Sequence, residues 1–256
     1  MNELVDRRIL GGFVCVDAIT GSSVVPAIPV SAPHWTVKPN RSGIYVIFNG
    51  PGLDLLTGEF IPTGTWPAPV PFEVTLQDPN RRYLPRRAMV SAPQTVPVIP
   101  PIPPTPTGVF APQKVRVFPS PAAVVGPNWA SIHASVMRHG TTPALGLPWA
   151  ILRVVRNSDH AVLATGQTDG NGEALVAVIG LKQQANPSGH GPVTISTVAA
   201  TITAFFDPAV LTKPAGWIPN PDDVLKNLAN PALKSASQPV LLSSGLETSM
   251  SFSITF

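Results

Sequence analysis

Apolar and polar residues alternate with a period of two along several short stretches of the chain, and this pattern predicts β-strands. The clearest alternation is at 72–78 and 248–256, and apolar runs rich in β-branched and aromatic residues at 9–19, 43–50 and 149–155 also predict strands. Helical periodicity is confined to 219–229, where Asn220 is placed to cap the helix and Pro221 to occupy its first turn. The pattern therefore predicts an all-β chain with one short helix near its C-terminus.

A polar, glycine-rich turn separates two further apolar runs. Asp169-Gly-Asn-Gly172 separates an apolar run that ends near Leu163 from one that begins at Ala174. Asp-Gly and Asn-Gly tolerate the positive φ angles that tight turns between strands require. The sequence therefore predicts a β-hairpin centred on this turn.

Two features of the chain recur after 129 residues. Asn40-Arg-Ser-Gly43 falls on Asp169-Gly-Asn-Gly172, and Phe72-Glu-Val-Thr-Leu-Gln-Asp-Pro79 falls on Thr201-Ile-Thr-Ala-Phe-Phe-Asp-Pro208. Agreement at a single offset indicates an internal duplication. The chain is therefore predicted to contain two related β-units.

A proline-rich segment, Thr95-Val-Pro-Val-Ile-Pro-Pro-Ile-Pro-Pro-Thr-Pro-Thr107, lies between the two copies. Such composition favours a polyproline II spacer. We therefore predict a first sandwich over 1–94, a linker over 95–108 and a second sandwich over 109–256, beginning with the strand Lys114–Phe118. A ligand for a proline-binding groove is the alternative interpretation of the segment.

The first unit starts Arg8-Ile-Leu-Gly-Gly-Phe-Val-Cys-Val-Asp-Ala-Ile-Thr-Gly21 and continues to Ser42-Gly-Ile-Tyr45, and the second carries Thr168-Asp-Gly-Asn-Gly172. These stretches resemble the motifs G-x-V-x-D…T-G and T-D-x-x-G-x-(Y/F) of the carboxypeptidase-regulatory/transthyretin-like β-sandwich family. The first unit departs from the second motif at Pro39-Asn-Arg-Ser42. The resemblance implies two tandem Ig/transthyretin-like antiparallel β-sandwiches, and it leaves function open because the family hosts many functions.

Composition narrows the choice of function. Charged residues make up only 12% of the chain, against a typical value of about 25%, and there are 32 prolines. A weakly charged surface associates easily, although large proline loops would also dilute the charge. The net charge is +3 without a long basic stripe, so no nucleic-acid partner is predicted.

Cellular location follows from what the sequence lacks. Cys15 is the single cysteine and lies within an apolar strand, so we expect it to be buried and no internal disulfide to form. No uncharged, proline-free apolar run is long enough for a membrane span, and no signal-peptide core precedes the first strand. Cytoplasmic synthesis is expected, with the mature chain in an assembled particle that lysis releases.

No catalytic, cofactor or metal site is predicted. The five histidines have no metal-ligand spacing, hydrolase motifs are absent, and Asp169, Asn171 and Glu173 supply too few oxygens for a calcium loop. Trp66 and Trp217 lie in proline-rich loops, where an aromatic ring either holds the loop down or anchors a partner. The candidate protein interface therefore comprises these two tryptophans and a basic corner formed by Arg81, Arg82, Arg86 and Arg87.

Two functions from different classes remain. The features above favour a non-enzymatic structural or adaptor subunit, whose partners are other protein subunits and symmetric copies of itself. Charge-poor, proline-rich chains of two sandwiches also resemble accessory proteins of phage-tail-like contractile injection particles, which suggests a baseplate, cap or tail component. The alternative is a surface adhesion module that binds carbohydrate or protein.

Overall fold

A computed structural model describes residues 9–53, 68–94, 111–181, 183–184, 194–195 and 197–256. Strands dominate these residues, and helical structure is limited to a 3₁₀ helix at Pro208–Thr212 and an α-helix, α1, at Pro221–Leu225. The prediction of an all-β chain is confirmed. The chain divides into two compact units.

The first unit comprises Met1–Asp17, Ser22–Pro79 and Pro85–Val117. Its described residues form seven strands: β1 (Gly11–Asp17), β2 (Val30–Ser31), β3 (Thr36–Pro39), β4 (Ile44–Asn49), β5 (Val70–Leu76), β6 (Arg86–Ala92) and β7 (Gln113–Val117). They form a four-stranded sheet, β3-β4-β1-β7, and a three-stranded sheet, β2-β5-β6. Strand β1 runs antiparallel to β4 and parallel to β7.

Aromatic side chains occupy the interior of the first unit. The rings of Phe13 and Tyr45 stack with their centroids 4.6 Å apart, and Trp35 stacks on Phe72 at 3.7 Å. The Tyr45 hydroxyl donates a 2.5 Å hydrogen bond to the Ile28 carbonyl, so its polar end is satisfied inside the core. A Cβ on Gly50 would lie 2.2 Å from the Trp35 ring, which explains why a glycine stands there.

The second unit comprises Ala18–Gly21, Asn80–Leu84 and Phe118–Phe256. Its strands are β8 (Ala130–Arg138), β9 (Ile151–Arg156), β10 (Val162–Gln167), β11 (Glu173–Val178), β12 (Gln183–Gln184), β13 (Thr194–Ile195), β14 (Val198–Phe206), β15 (Lys234–Leu242) and β16 (Glu247–Ile254). The two larger sheets have the orders β10-β9-β14-β15 and β11-β8-β16. One cluster of buried side chains draws on both sheets, including Ile132, Val176, Ile202 and Phe252.

Both units place their first strand in the same way. In the first unit β1 lies between antiparallel β4 and parallel β7, and in the second β8 lies between antiparallel β11 and parallel β16. The glycine-rich turn leads into β4 in one unit and into β11 in the other. The two units therefore share this part of their strand order.

The later strand of the repeat matches at a different offset. Side chains at 72, 74 and 76 of β5 point into the core, and those at 202, 204 and 206 of β14 do the same. The buried faces therefore correspond at an offset of 130, although the Asp-Pro dipeptides correspond at 129. One residue separates the two registers, and in a strand a one-residue shift exchanges the buried and exposed faces.

The structure places the strand at 113–117 differently from the sequence prediction, which assigned it to the second unit. Strand β7 pairs with β1 over five residues and buries Val115 and Val117, so it belongs to the first unit. The predicted linker over 95–108 consequently connects β6 and β7 of one unit. Residues 95–110 themselves lie outside the described part of the chain. Composition could not reveal this, because parallel pairing with β1 is a long-range contact.

Two glutamine side chains fasten the strands that flank the proline-rich segment. The Gln94 amide donates to the Gly12 carbonyl at 2.7 Å and accepts from the Gly12 N–H at 2.9 Å. The Gln113 amide does the same with the carbonyl and N–H of Ser91, at 2.8 and 3.2 Å. Each amide imitates a residue of a neighbouring strand and satisfies both the N–H and the carbonyl of one backbone residue.

The predicted helix is present and shorter than its 11-residue pattern. The Asn220 side chain accepts from the N–H of Asp222, and Pro221 occupies the first turn, as the sequence indicated. No helix within the described ranges has the length and apolarity to cross a membrane.

Candidate protein interface

The two glycine-rich turns are built by the same hydrogen bonds. Asn40 Oδ1 accepts from the N–H groups of Ser42 and Ile44, both at 2.9 Å. Asp169 Oδ1 accepts from Asn171 and Glu173, at 2.8 and 3.0 Å. These are Asx turns, in which the side chain closes the turn against the backbone. The Asp169 carboxylate in the second unit is therefore the same kind of hydrogen-bond acceptor as the Asn40 amide oxygen in the first.

The glycine that ends each turn has positive φ, 78° at Gly43 and 85° at Gly172. A Cβ on Gly172 would also lie 2.6 Å from the Val136 carbonyl oxygen. Only glycine meets both conditions without displacing the backbone.

Thr168 also has a structural role. Its hydroxyl is fully buried, donates to the Leu147 carbonyl at 2.9 Å and accepts from the Ala150 N–H at 2.8 Å. The Thr-Asp pair thus holds the chain segments that meet at this turn.

The structure describes one of the two tryptophans that were predicted to anchor a partner. Trp66 lies outside the described residues. Trp217 is half-buried in the second unit, and its ring centroid lies 5.7 Å from the Lys213 ammonium nitrogen. That distance allows a cation–π contact. Trp217 consequently has a ring contact within its own loop and also part of its surface in solvent.

The four arginines of the predicted basic corner have different environments. Arg81 and Arg82 are exposed in the second unit, and the Arg82 guanidinium lies 5.9 Å from the centroid of the Tyr83 ring. Arg87, in the first unit, forms a 3.1 Å ion pair with Glu73 on β5. A partly exposed pair of this kind contributes only about 0–1 kcal/mol.

Arg86 is not a surface residue. Its side chain is 1% exposed, and its guanidinium donates to the backbone carbonyls of Arg116 and Arg87. Position 86 belongs to the inward-facing set of β6, together with Ala88 and Val90. Its membership of a surface cluster is therefore corrected: the Arg-Arg pair reads as one basic corner in sequence, but strand alternation sends its two side chains to opposite faces.

Cys15 lies in the same interior and is 1% exposed, as predicted. Burial raises the pKa of its thiol from 9.0 to about 11, and the Tyr45 hydroxyl and the Arg86 charge act in the opposite direction. Burial likewise raises the pKa of Tyr45. Both groups are therefore neutral near pH 7.

Sequence reasoning missed an exposed apolar surface on the four-stranded sheet of the second unit. One row of paired residues crosses all four strands, from β10 to β15: Val162, Val155, Thr201 and Pro239. Leu241 of the next row is 64% exposed, and Val162 is 45% exposed. The signal available in sequence was the Pro-x-Leu alternation of 239–241, which pattern alone could not assign to an inner or outer face.

The outer face of the three-stranded sheet is polar. His133 Nε2 lies 3.3 Å from Glu247 Oε1, and His139 Nδ1 lies 3.2 Å from Ser253 Oγ. Within the described ranges, His, Cys, Asp and Glu side chains form no group of three or more that would hold a metal ion. The predicted lack of a metal site remains a prediction, since part of the chain is not described.

No protein-family model matches the chain, and no curated protein matches it at a significant level. Among solved structures it is similar to the Bacillus anthracis TIE protein, at 10% identity and a TM-score of 0.28, over 97% of this chain and 34% of that one. It is also similar to a leucine-rich repeat protein from Bacteroides thetaiotaomicron VPI-5482, at 7% identity and a TM-score of 0.21, over 97% and 26% of the two chains. The chain thus spans about a third and about a quarter of their lengths. Likeness at this level carries no argument about fold or function.

Proposed function

We propose that this chain is a non-enzymatic structural or adaptor subunit of a larger protein assembly. The observation that carries the proposal is the exposed apolar surface on the four-stranded sheet of the second unit, which comprises Val162, Pro239 and Leu241 and in which Leu241 is 64% exposed. Pro239 and Leu241 lie two residues apart on the same face of β15, and exposed apolar side chains that lie together favour contact with another protein. Low overall charge, at 12% of residues, acts in the same direction.

The polar side chains of the recurring motif support the same role. Asn40, Thr168 and Asp169 are each engaged in hydrogen bonds to the backbone. We propose that both units are Ig/transthyretin-like sandwiches related to the carboxypeptidase-regulatory family. The shared turn chemistry and the shared position of the first strand support that relationship.

Within this class, the assembly we propose is a phage-tail-like contractile injection particle, in which the chain is a baseplate, cap or tail accessory protein. Its partners are then the other subunits of that particle. This part of the proposal rests on composition alone. Purification of native particles followed by cryo-electron microscopy tests it, and a native chain that sediments alone would contradict it.

The apolar surface can be tested directly in the native host. Leu241→Lys adds a charge to this surface, and Ser235→Lys adds the same charge to an exposed position of the same strand, β15. We expect Leu241→Lys to reduce co-purification of the native partner at least tenfold, whereas Ser235→Lys leaves it unchanged. Equal binding by both variants, with unchanged thermal stability, would exclude this surface as the interface.

A further inference from the structure

Two Asn-Gly dipeptides occur in the chain, Asn49-Gly50 and Asn171-Gly172. An asparagine that precedes glycine is prone to lose its side-chain amide spontaneously, because glycine has no side chain to keep its backbone nitrogen away from that amide. The two dipeptides are alike in sequence, and the fold holds them in different ways.

The Asn49 side chain is folded back onto the nitrogen that would attack it. Asn49 is the last residue of β4, and its Oδ1 accepts a 2.7 Å hydrogen bond from the N–H of Gly50. Because Cγ is bonded to Oδ1, the same contact brings Cγ close to the Gly50 nitrogen. Rotation about the Cβ–Cγ bond then presents the face of the amide to that nitrogen. The reacting atoms are therefore held near the separation from which a ring closes.

Packing keeps the Gly50 nitrogen in this position. Gly50 is buried, and the Trp35 ring lies so close to its backbone that a Cβ would have no room. Trp35 is in turn stacked on Phe72. The Asn49 side chain is only half-buried, so solvent reaches the amide that would react.

The Asn171 amide is directed away from the following nitrogen. Its Nδ2 lies 3.5 Å from Asp169 Oδ2, and the Gly172 N–H donates to the Asp169 carbonyl at 3.3 Å. Attack requires the Gly172 nitrogen to lose its proton, and the neighbouring Asp169 carboxylate disfavours the negative charge that results. The side chain that closes this turn therefore also opposes the reaction.

The backbone of Asn171-Gly172 is held on both sides as well. The Gly172 carbonyl accepts from the Val136 N–H at 2.8 Å, and the Asn171 carbonyl oxygen lies against Gly146, with no room for a Cβ there. Ring closure needs the Gly172 nitrogen to leave its hydrogen bond and move toward the Asn171 side chain. These contacts resist that movement.

We propose that Asn49 is a site of spontaneous deamidation in the folded chain and that Asn171 is protected from it. The Gly50 nitrogen gives its proton to solvent base and bonds to Cγ of Asn49. The bond from Cγ to Nδ2 breaks, and Nδ2 takes up a proton and leaves as ammonia. Water then adds to one of the two carbonyls of the resulting five-membered succinimide and opens it to aspartate or isoaspartate.

The product alters a packed part of the first unit. Either form places a carboxylate at a half-buried position, and isoaspartate also adds a methylene group to the backbone directly before Gly50. Gly50 has no room to move toward Trp35. We therefore expect the modified unit to be less stable than the original.

Incubation of the purified full chain in mildly alkaline buffer tests the proposal, with peptide mapping by mass spectrometry at successive times. We expect Asn49 to deamidate about tenfold faster than Asn171 in the folded chain, and the two rates to converge in urea, where only local sequence acts. Asn49→Gln should slow the release of ammonia from the folded chain, because glutamine closes the larger ring much more slowly. The matched variant Asn171→Gln should leave that release unchanged.

Equal rates at the two asparagines of the folded wild-type chain overturn the proposal. A folded chain in which neither reacts, over a period in which the unfolded chain reacts at both, overturns it too. A preference for Asn49 that persists unchanged in urea assigns the difference to flanking sequence and removes the role of the fold. The reaction needs no partner, so each result leaves the role as a structural subunit open.

Discussion

Removal of the side chain that closes each Asx turn should destabilise its unit to a similar extent. Asp169→Ala deletes an acceptor of two backbone hydrogen bonds at 2.8 and 3.0 Å, and Asn40→Ala deletes an acceptor of two at 2.9 Å. Each net hydrogen bond contributes about 0.5–1.5 kcal/mol. Both turns are exposed, so water replaces part of the loss, and we expect a cost of about 1–2 kcal/mol per variant.

Reciprocal substitutions provide the matched controls. Asp169→Asn and Asn40→Asp each retain an Oδ1 acceptor in the same position, so both should remain within about 0.5 kcal/mol of the wild type. The comparison separates loss of the acceptor from a change of charge.

Urea unfolding followed by tryptophan fluorescence measures the free energy, and hydrogen exchange with mass spectrometry shows which unit opens. The expected destabilisation corresponds to a decrease in Tm of about 2–8 °C. Asn40→Ala should increase exchange in β4, and Asp169→Ala should increase it in β11. If the alanine variants match the wild type, or if the reciprocal variants are as unstable as alanine, the side chains do not hold the turns.

Three further predictions concern the interior. Gln94→Ala removes the amide that bonds both backbone groups of Gly12 and should lower the free energy of unfolding by about 1–3 kcal/mol, measured by urea unfolding. Gln94→Glu should not restore the stability, because a carboxylate cannot donate to the Gly12 carbonyl. Gln167 is 1% exposed and its amide has no hydrogen-bond partner among the described residues, so Gln167→Met should raise stability by about 1 kcal/mol, whereas a loss would show that the amide is bonded. The unfolded thiol of Cys15 loses its proton near pH 9.0 and the buried thiol near pH 11, so stability should fall as the pH rises across that window. In a pH series of urea unfolding, Cys15→Ala should reduce this slope without removing it, because the pKa of Tyr45 is also raised by burial.

The sequence by itself determined the local structure. Periodicity and β-branched composition predicted the strands, and the Asn40 and Asp169 turns were found from residue types that tolerate their geometry. The hairpin predicted around the Asp169 turn was wrong, because β10 pairs with β9 and β11 pairs with β8, so the turn joins strands of two different sheets. The cap at Asn220 and the burial of Cys15 were also readable, since each depends on neighbours within a few residues. These features are decided by propensity and period, which are properties of short segments.

The tertiary structure alone decided which segments belong together. Strand β7 joins the first unit because it finds a parallel partner in β1, about 100 residues earlier in the chain, and composition carries no signal of that pairing. Tertiary structure also decided the burial of Arg86, whose place inside the first unit follows from the register of β6. It likewise decided the exposure of Leu241, which depends on which face of its sheet is covered. A pattern of period two shows that a strand has two faces, but only packing between sheets decides which face is buried.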